Sequence, residues 1–554
     1  MFNWSSSTAS VTGEGAARPG ARRIAWGREL VTLALFVLLA VAHTWPLASA
    51  PNTWCRNDNG DAGLNEWALA WVAHQVVRDP VHLFDANIFY PERRTLAFSE
   101  HLLPEAALVA PLLWGGGSPV LAHNVALLAG FVLTGWAMCF VVRRWTGSLA
   151  AGLVAGSLAA FNAHTLTRLA NLQAQHVQYL PLALLALDRL LDSPRVRHAL
   201  ALAAYVTLQV LSSSYFLLFT VVTVAASSLV RPGDWLGARF RRVAPLLLLA
   251  VLVAVLALLP VIATYWLVRQ EQGFVRTMKD VRTYSAIWTD YLATGALVHW
   301  GWSGRFFRGN GYFQGFTALG LAGLCLVTGT ALKDRRARMC LAAALAAFVL
   351  SFGSQLPFYE FLFNHVPLFD TVRSVDRFAQ VTILGVAALA GFGVAWCLRK
   401  ATSRRQALIL AFVLLAAVNI EAWRGPLTYT RFEGLPRVLR SLAGAPGAVV
   451  VYFPYYHRGG EAGLNSRFML WSTLNWRPML NGYSGFMPAS FHRTADAVGR
   501  FPDAASLGYL QSVGVTHIVV DGANMNKPQF HQVTEAEGLK LWASDGTVFI
   551  YTIR

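Results

Sequence analysis

Apolar runs that span a bilayer, or nearly do, recur along most of this 554-residue chain. They fall around 29–49, 118–142, 148–163, 178–192, 198–212, 215–230, 243–267, 313–332, 339–353, 378–398 and 406–422. Several are shorter than the about 20 residues that a perpendicular span needs. The pair within 198–230 can form a tight hairpin around Ser212-Ser213-Ser214. Only 14% of residues are charged, against about a quarter in a soluble domain. The runs predict a mostly α, polytopic helical membrane protein with about eleven spans.

The formal charge of +17 would suggest nucleic acid in a soluble protein. Here the basic residues gather in connections: Arg22/Arg23, Arg143/Arg144, Arg195/Arg197, Arg239 to Arg242, Lys333 to Arg338 and Arg399 to Arg405. These alternate along the chain and share one side if the N-terminus is cytoplasmic. Anionic lipid therefore accounts for the charge, and no nucleic-acid motif accompanies it. Arg269, Arg276, Lys279, Arg282, Arg305 and Arg308 crowd one opposite connection, so the sidedness is imperfect. Cys139, Cys325, Cys340 and Cys397 lie in or beside apolar runs, only Cys55 is expected outside, and no CxxC pair occurs.

Residues 1–27 read as a disordered cytoplasmic tail, and 28–422 as the transmembrane domain. Outer loops are expected at 50–117, 164–177, 268–312 and 354–377. Beyond 423 the pattern changes. Ala448 to Pro454, Thr516 to Asp521 and Val548 to Ile553 read as buried strands between helical stretches. A small α/β domain over 423–554, on the extracytoplasmic side, is the expectation.

Polar groups collect at the outer ends of the apolar runs. Asp58 and Asp61 lie in Asn57-Asp58-Asn59-Gly60-Asp61-Ala62-Gly63, just after the first run, with glycines that allow close backbone approach. They suit a catalytic base, or a divalent cation (Mg or Mn) held by carboxylates. The same residues also suit the start of a helix through Glu66, Trp67 and Trp71, which reads as lying along the membrane surface. Arg93 and Arg94 suit phosphate through their planar donors and neighbour Glu100, His101 and Glu105. Local ion pairing explains that cluster equally. Asn171, Gln175 and His176, with His164 and Arg168, could line a polar cavity or bond between helices. Arg373 and Arg377, at i, i+4, can face one anion, or be neutralised by Asp370 and Asp376. Asn481-Gly482-Tyr483-Ser484-Gly485-Phe486 combines aromatics with turn residues, a combination that suits carbohydrate and also ordinary loops.

With those residues placed, the chain resembles the GT-C superfamily of membrane glycosyltransferases, and bacterial multispan proteins described as mannosyltransferase-like or YfhO-like. The likeness rests on Gly60-Asp61 through Trp71, Phe89-Tyr90-Pro91 through His101, Val366-Pro367 through Phe378, and the Asn481–Phe486 stretch. It implies transfer of a sugar from a polyprenyl-phosphate donor to a glycan or lipid acceptor, at the outer face of a bacterial inner membrane. It also implies that Asp61 is the catalytic acid–base residue or metal ligand, with Asp58 second. Asn59 and Gly60 separate the two carboxylates, a departure from a tidy Asp-x-Asp pair. The substrate-binding candidates are Arg93, Arg94, Glu100, His101, Asn171, Gln175, His176, Arg373 and Arg377. The alternative is a non-enzymatic transporter, flippase or assembly factor for lipid-linked glycans, which needs polar residues through the middle of several spans.

Overall fold

The computed structural model describes residues 19–56 and 59–554. Of the expected tail, residues 1–18 lie outside the described residues, and 19–27 already belong to α1 (Pro19–His43). The other elements nearest the site are α2 (Gly60–Arg78), α3 (Leu103–Trp114), α4 (Pro119–Thr146), α5 (Leu149–Ala160), α6 (Ala163–Thr167), α7 (Tyr179–Asp192), α8 (Val196–Ser212) and α9 (Tyr215–Leu229). Each of the eleven apolar runs coincides with helix. Among the described residues five helices are long and apolar enough to cross a membrane: Trp26–His43, Pro119–Thr146, Leu149–Thr167, Gly237–Gln272 and Val375–Lys400. Others are shorter apolar helices, such as α8, α9 and Phe316–Val327. Eleven full-length spans are therefore not what the helix lengths give.

Small residues bring the helices of the body together. A Cβ on Gly152 would lie 2.6 Å from the Cys139 carbonyl, and one on Gly156 would meet the Gly135 carbonyl and the Phe36 ring. Two glycines four apart on α5 thus let its backbone press against α4, which is how helices gain packing where no solvent drives them together.

Ion pairs lock the opposite end. Arg231, fully buried, donates to Asp188 at 2.6 Å, Asp192 at 2.7 Å and Asp234 at 2.7 Å. Arg336 also reaches Asp188, while Arg335 and Arg239 reach Asp234. Some of the basic residues read as facing lipid are thus neutralised within the protein. This network ties the C-terminal ends of α7 and α9 to the start of helix Arg335–Ser351, leaving the other ends of α7 and α9 to frame the site.

The outer domain is built on a four-stranded sheet. Its strands are β3 (Val450–Phe453), β4 (His517–Asp521), β5 (Leu539–Ser544) and β6 (Val548–Ile553), in the order β3-β4-β6-β5. β3 and β4 are parallel, with Val450 opposite His517, and the other pairings are antiparallel. The three apolar runs expected as strands become β3, β4 and β6. β5 was not legible because it is an edge strand whose middle, Lys540 to Trp542, is exposed. A short pairing of β1 (Trp54–Cys55) with β2 (Thr430–Arg431) stitches the domain to the first outer loop.

One expectation is overturned. The tryptophans of α2 do not face lipid headgroups: Trp67 is 1% exposed and Trp71 5%. The helix is sandwiched between α3 and α4 on one side and helix Asn465–Ser472 of the outer domain on the other. Its tryptophans serve as core, with the Trp67 indole donating to Asn87, whose amide donates in turn to Ser472. Gly60 and Gly63 permit this packing. A Cβ on Gly60 would sit 2.8 Å from the Gly463 Cα, and one on Gly63 2.7 Å from the Ser466 hydroxyl. The close approach is to another segment of the protein. Gly60→Ala should therefore destabilise despite the better helix propensity of Ala, by about 1–3 kcal/mol for overpacking against backbone. A lowered melting midpoint in detergent is the expected readout.

Candidate functional site at the outer mouth

Asp61 sits in the first turn of α2. The Asn59 side chain caps that turn by accepting from the Asp61 backbone N–H at 2.9 Å. The expected helix start and the expected functional acid are therefore the same place, but the cap is Asn59. The Asp61 carboxylate is free to face outward, and two donors hold it. Asn171 Nδ2 donates to Oδ2 at 3.0 Å and Tyr483 Oη donates to Oδ1 at 3.0 Å. One turn along the same face of α2, Asn65 donates to the Ala170 carbonyl at 2.8 Å, fixing the loop that carries Asn171.

Asn171 also lines a narrow cavity, room for about one water and partly open to solvent, with His164, Arg168, Gln173, Tyr215 and Arg377 around it. Among the described residues two of its polar atoms have no protein partner, Arg168 Nε and Gln173 Oε1. Buried polar groups of native proteins normally have partners. The Arg377 guanidinium lies 4.7 Å over the Tyr215 ring, and Arg373 lies 5.3 Å over the Tyr284 ring. Among the described residues neither these arginines nor Arg168 makes an ion pair with a carboxylate. Asp370 pairs with Arg269 instead, at 2.9 Å. Asp376 accepts from Tyr312 at 2.8 Å and from Asn310 at 3.3 Å. Asp370 is thus taken up by Arg269, while the Asp376 and Glu100 charges still act on Arg377 without a direct ion pair.

Electrostatics knit these groups together. Burial works against the Arg373 charge, but Tyr215, Tyr284 and Asp61 outweigh it and raise its pKa. Arg276 is pulled down to about 10 by burial and by Arg373, and its guanidinium rests 3.5 Å over the Phe486 ring. Burial, and then the Asp61 charge, push the Tyr483 phenol up, so it stays protonated and donates. The mouth is a cationic bowl with one held carboxylate on its rim.

The other candidates lie elsewhere in the network. Arg94 is chelated by Glu271 at 2.7 and 2.6 Å, and Arg93 is exposed. Glu100 accepts from the Ser214 N–H at 2.8 Å and its hydroxyl at 2.9 Å, bracing the start of α9. His101 is buried beside Phe84 and Tyr265, and burial lowers it to about 4. Gln175 donates to the carbonyls of Thr165 and Arg168, and His176 Nε2 meets the Ala126 carbonyl at 2.9 Å while Gln178 donates to its Nδ1. These side chains shape the 164–178 loop, and Asn171 is the one that reaches Asp61.

Asp58 lies outside the described residues. The donor set around Asp61 is an amide, a phenol and nearby guanidinium groups, and among the described residues no group of three or more His, Cys, Asp or Glu side chains could hold a metal ion. Arg276, Tyr215 and Tyr483 were missed as site residues, although Tyr483 stands in a motif the sequence singles out. Its partner is 422 residues away, beyond the reach of any local pattern.

No protein-family model and no curated protein matches the chain. Solved structures do. The arabinofuranosyltransferase AftD from mycobacteria superposes with a TM-score of 0.63 at 16% identity, over 95% of this chain and 40% of its own. The oligosaccharyltransferase of Archaeoglobus fulgidus, in a complex with Zn and sulfate, superposes with a TM-score of 0.51 at 13% identity. That match covers 94% of this chain and 73% of the other. The chain shares the fold of these two solved structures. It spans two fifths of the AftD chain, so the match describes the shared fold and not the whole of that protein.

Glu66 is fully buried about one turn beyond Asp61. Burial raises it from the ordinary 4.5 to about 8. A carboxyl group raised in the folded state leaves stability intact below pH 4.5 and erodes it as pH climbs toward 8. The erosion is on the order of 1.4 kcal/mol per pH unit. Glu66→Gln should flatten the decline of the melting midpoint between pH 5 and 8, roughly the interval between those two values.

Proposed function

We propose that this protein is a glycosyltransferase of the inner membrane, moving a sugar from a polyprenyl-phosphate donor to an acceptor hydroxyl on the outer face. The observation that supports the reading is the held Asp61 carboxylate near a cavity whose arginines make no direct ion pair with a carboxylate among the described residues. Partly buried guanidinium groups are costly unless an anion meets them, and a planar fork of donors matches phosphate. Among the described residues the cavity atoms without a protein partner are the acceptor Gln173 Oε1 and the donor Arg168 Nε. That mixture, flanked by the Tyr215 and Phe216 rings, suits hydroxyls as well as an anion.

In this reading the acceptor oxygen attacks the anomeric carbon as the bond from that carbon to the phosphate oxygen breaks. Asp61 takes the hydroxyl proton. Arg377, Arg168 and Arg373 stabilise the charge that grows on the departing polyprenyl phosphate. Asn171 fixes the carboxylate, and no step is routed through a metal. The N-terminus would then be cytoplasmic and the α/β domain extracytoplasmic, the side on which the acceptor arrives. A transporter or flippase would need polar groups through the span centres, and here they gather at the outer mouth.

The test uses membranes supplied with polyprenyl-phosphate-linked mannose, glucose and arabinose, following release of polyprenyl phosphate. Asp61→Asn should cut turnover by about 10²–10⁴-fold, the contribution of a positioned base. Arg377→Ala should weaken inhibition by added polyprenyl phosphate by about tenfold, one charge-assisted contact. Undiminished turnover in Asp61→Asn contradicts the assignment.

A further inference from the structure

The outer domain supplies a working part of the site. We propose that Tyr483 is a positioning residue whose phenol orients the Asp61 carboxylate for proton transfer; this rests on the reading of Asp61 as the base. Its hydroxyl donates to Oδ1 at 3.0 Å, while Asn171, from the membrane body, donates to Oδ2. A carboxylate offers about four lone-pair sites. One donor on each oxygen fixes the plane of the group and leaves acceptor capacity for the substrate hydroxyl.

The loop that carries Tyr483 is held at several points. The Asn481 side chain exchanges hydrogen bonds with the Tyr452 backbone, accepting at 2.7 Å and donating at 2.9 Å, which anchors the loop to β3. The Phe89 N–H donates to the Asn481 carbonyl at 3.2 Å, and the Phe486 N–H to the Phe98 carbonyl at 3.2 Å. Both ends of the hexapeptide are therefore tied to the first outer loop, the loop that leads from α2. Phe486 then stacks on Phe274 with ring centres 4.4 Å apart and receives Arg276 on its face. Such a frame sets the phenol in place before substrate arrives, which is the condition for a positioning group. A hydroxyl serving only to dock the domain would not need this aim, since the α2 contact with helix Asn465–Ser472 already joins the two parts.

Tyr483→Phe keeps the ring and removes the donor. With the same polyprenyl-phosphate sugars, turnover should fall by about 10–100-fold while the donor KM stays within about twofold, because the lost contact acts on the base. The KM is a property of the molecules that turn over, so the split between turnover and KM reads out at any yield of folded protein. Lower turnover with an unchanged KM and an unaltered melting midpoint is the expected result. Unchanged turnover overturns the proposal, as does a loss that only tracks the amount of folded protein. If Asp61→Asn retains turnover, the reading of the base fails. If Asp61→Asn is inactive and Tyr483→Phe is normal, only the role of Tyr483 fails.

Discussion

The Asp61 carboxylate joins three segments that are remote in the chain. It belongs to α2, takes a hydrogen bond from Asn171 in the loop between α6 and α7, and takes another from Tyr483 in the outer domain. Each partner needs its own support: Asn65 holds the loop at Ala170, and Asn481 holds the domain's hexapeptide to β3. A single anionic group therefore reports whether the membrane body and the outer domain are correctly assembled. The glycines at 60 and 63 make this assembly possible by letting the outer domain approach within contact of α2.

The same economy appears at the two ends of the helical body. At one end Arg231 is satisfied by Asp188, Asp192 and Asp234, a closed set of charges deep in the protein. At the other, Arg168, Arg373 and Arg377 lie over aromatic faces or in a polar cavity without carboxylate partners among the described residues. The chain can neutralise buried arginines and does so where nothing is expected to bind. The contrast is what the proposed phosphate site rests on.

Much of the fold was legible because bilayer physics is written locally. Long apolar runs become helices, and β3, β4 and β6 announce themselves as apolar strand patterns. Run length proved a poorer guide to spans, since helices such as α9 stop at 15 residues. α2 was misplaced for a related reason. Trp67 and Trp71 look the same to the sequence whether they meet headgroups or an outer domain, and burial against residues 465–472 depends on a contact some 400 residues away. At the site, Asp61 stood out because charge is rare beside apolar runs, and Asn171 and the Arg373/Arg377 pair because they share helical spacing. Tyr483 did not, since one tyrosine in a turn-rich loop carries no local sign of its partner. Gln175 and His176 drew notice for the same polarity as Asn171, yet their hydrogen bonds are spent on the loop itself.

The account stands on one claim, that a sugar phosphate lies between the Asp61 carboxylate and the arginines of the cavity. A structure of the full chain in lipid nanodiscs with a polyprenyl phosphonate analogue of a sugar donor tests it directly. The account predicts phosphonate oxygens within hydrogen-bond distance of Arg377 and of Arg168 or Arg373, with the anomeric carbon turned toward Asp61. An analogue bound away from this cavity, with Asp61 held only by Asn171 and Tyr483, would contradict it.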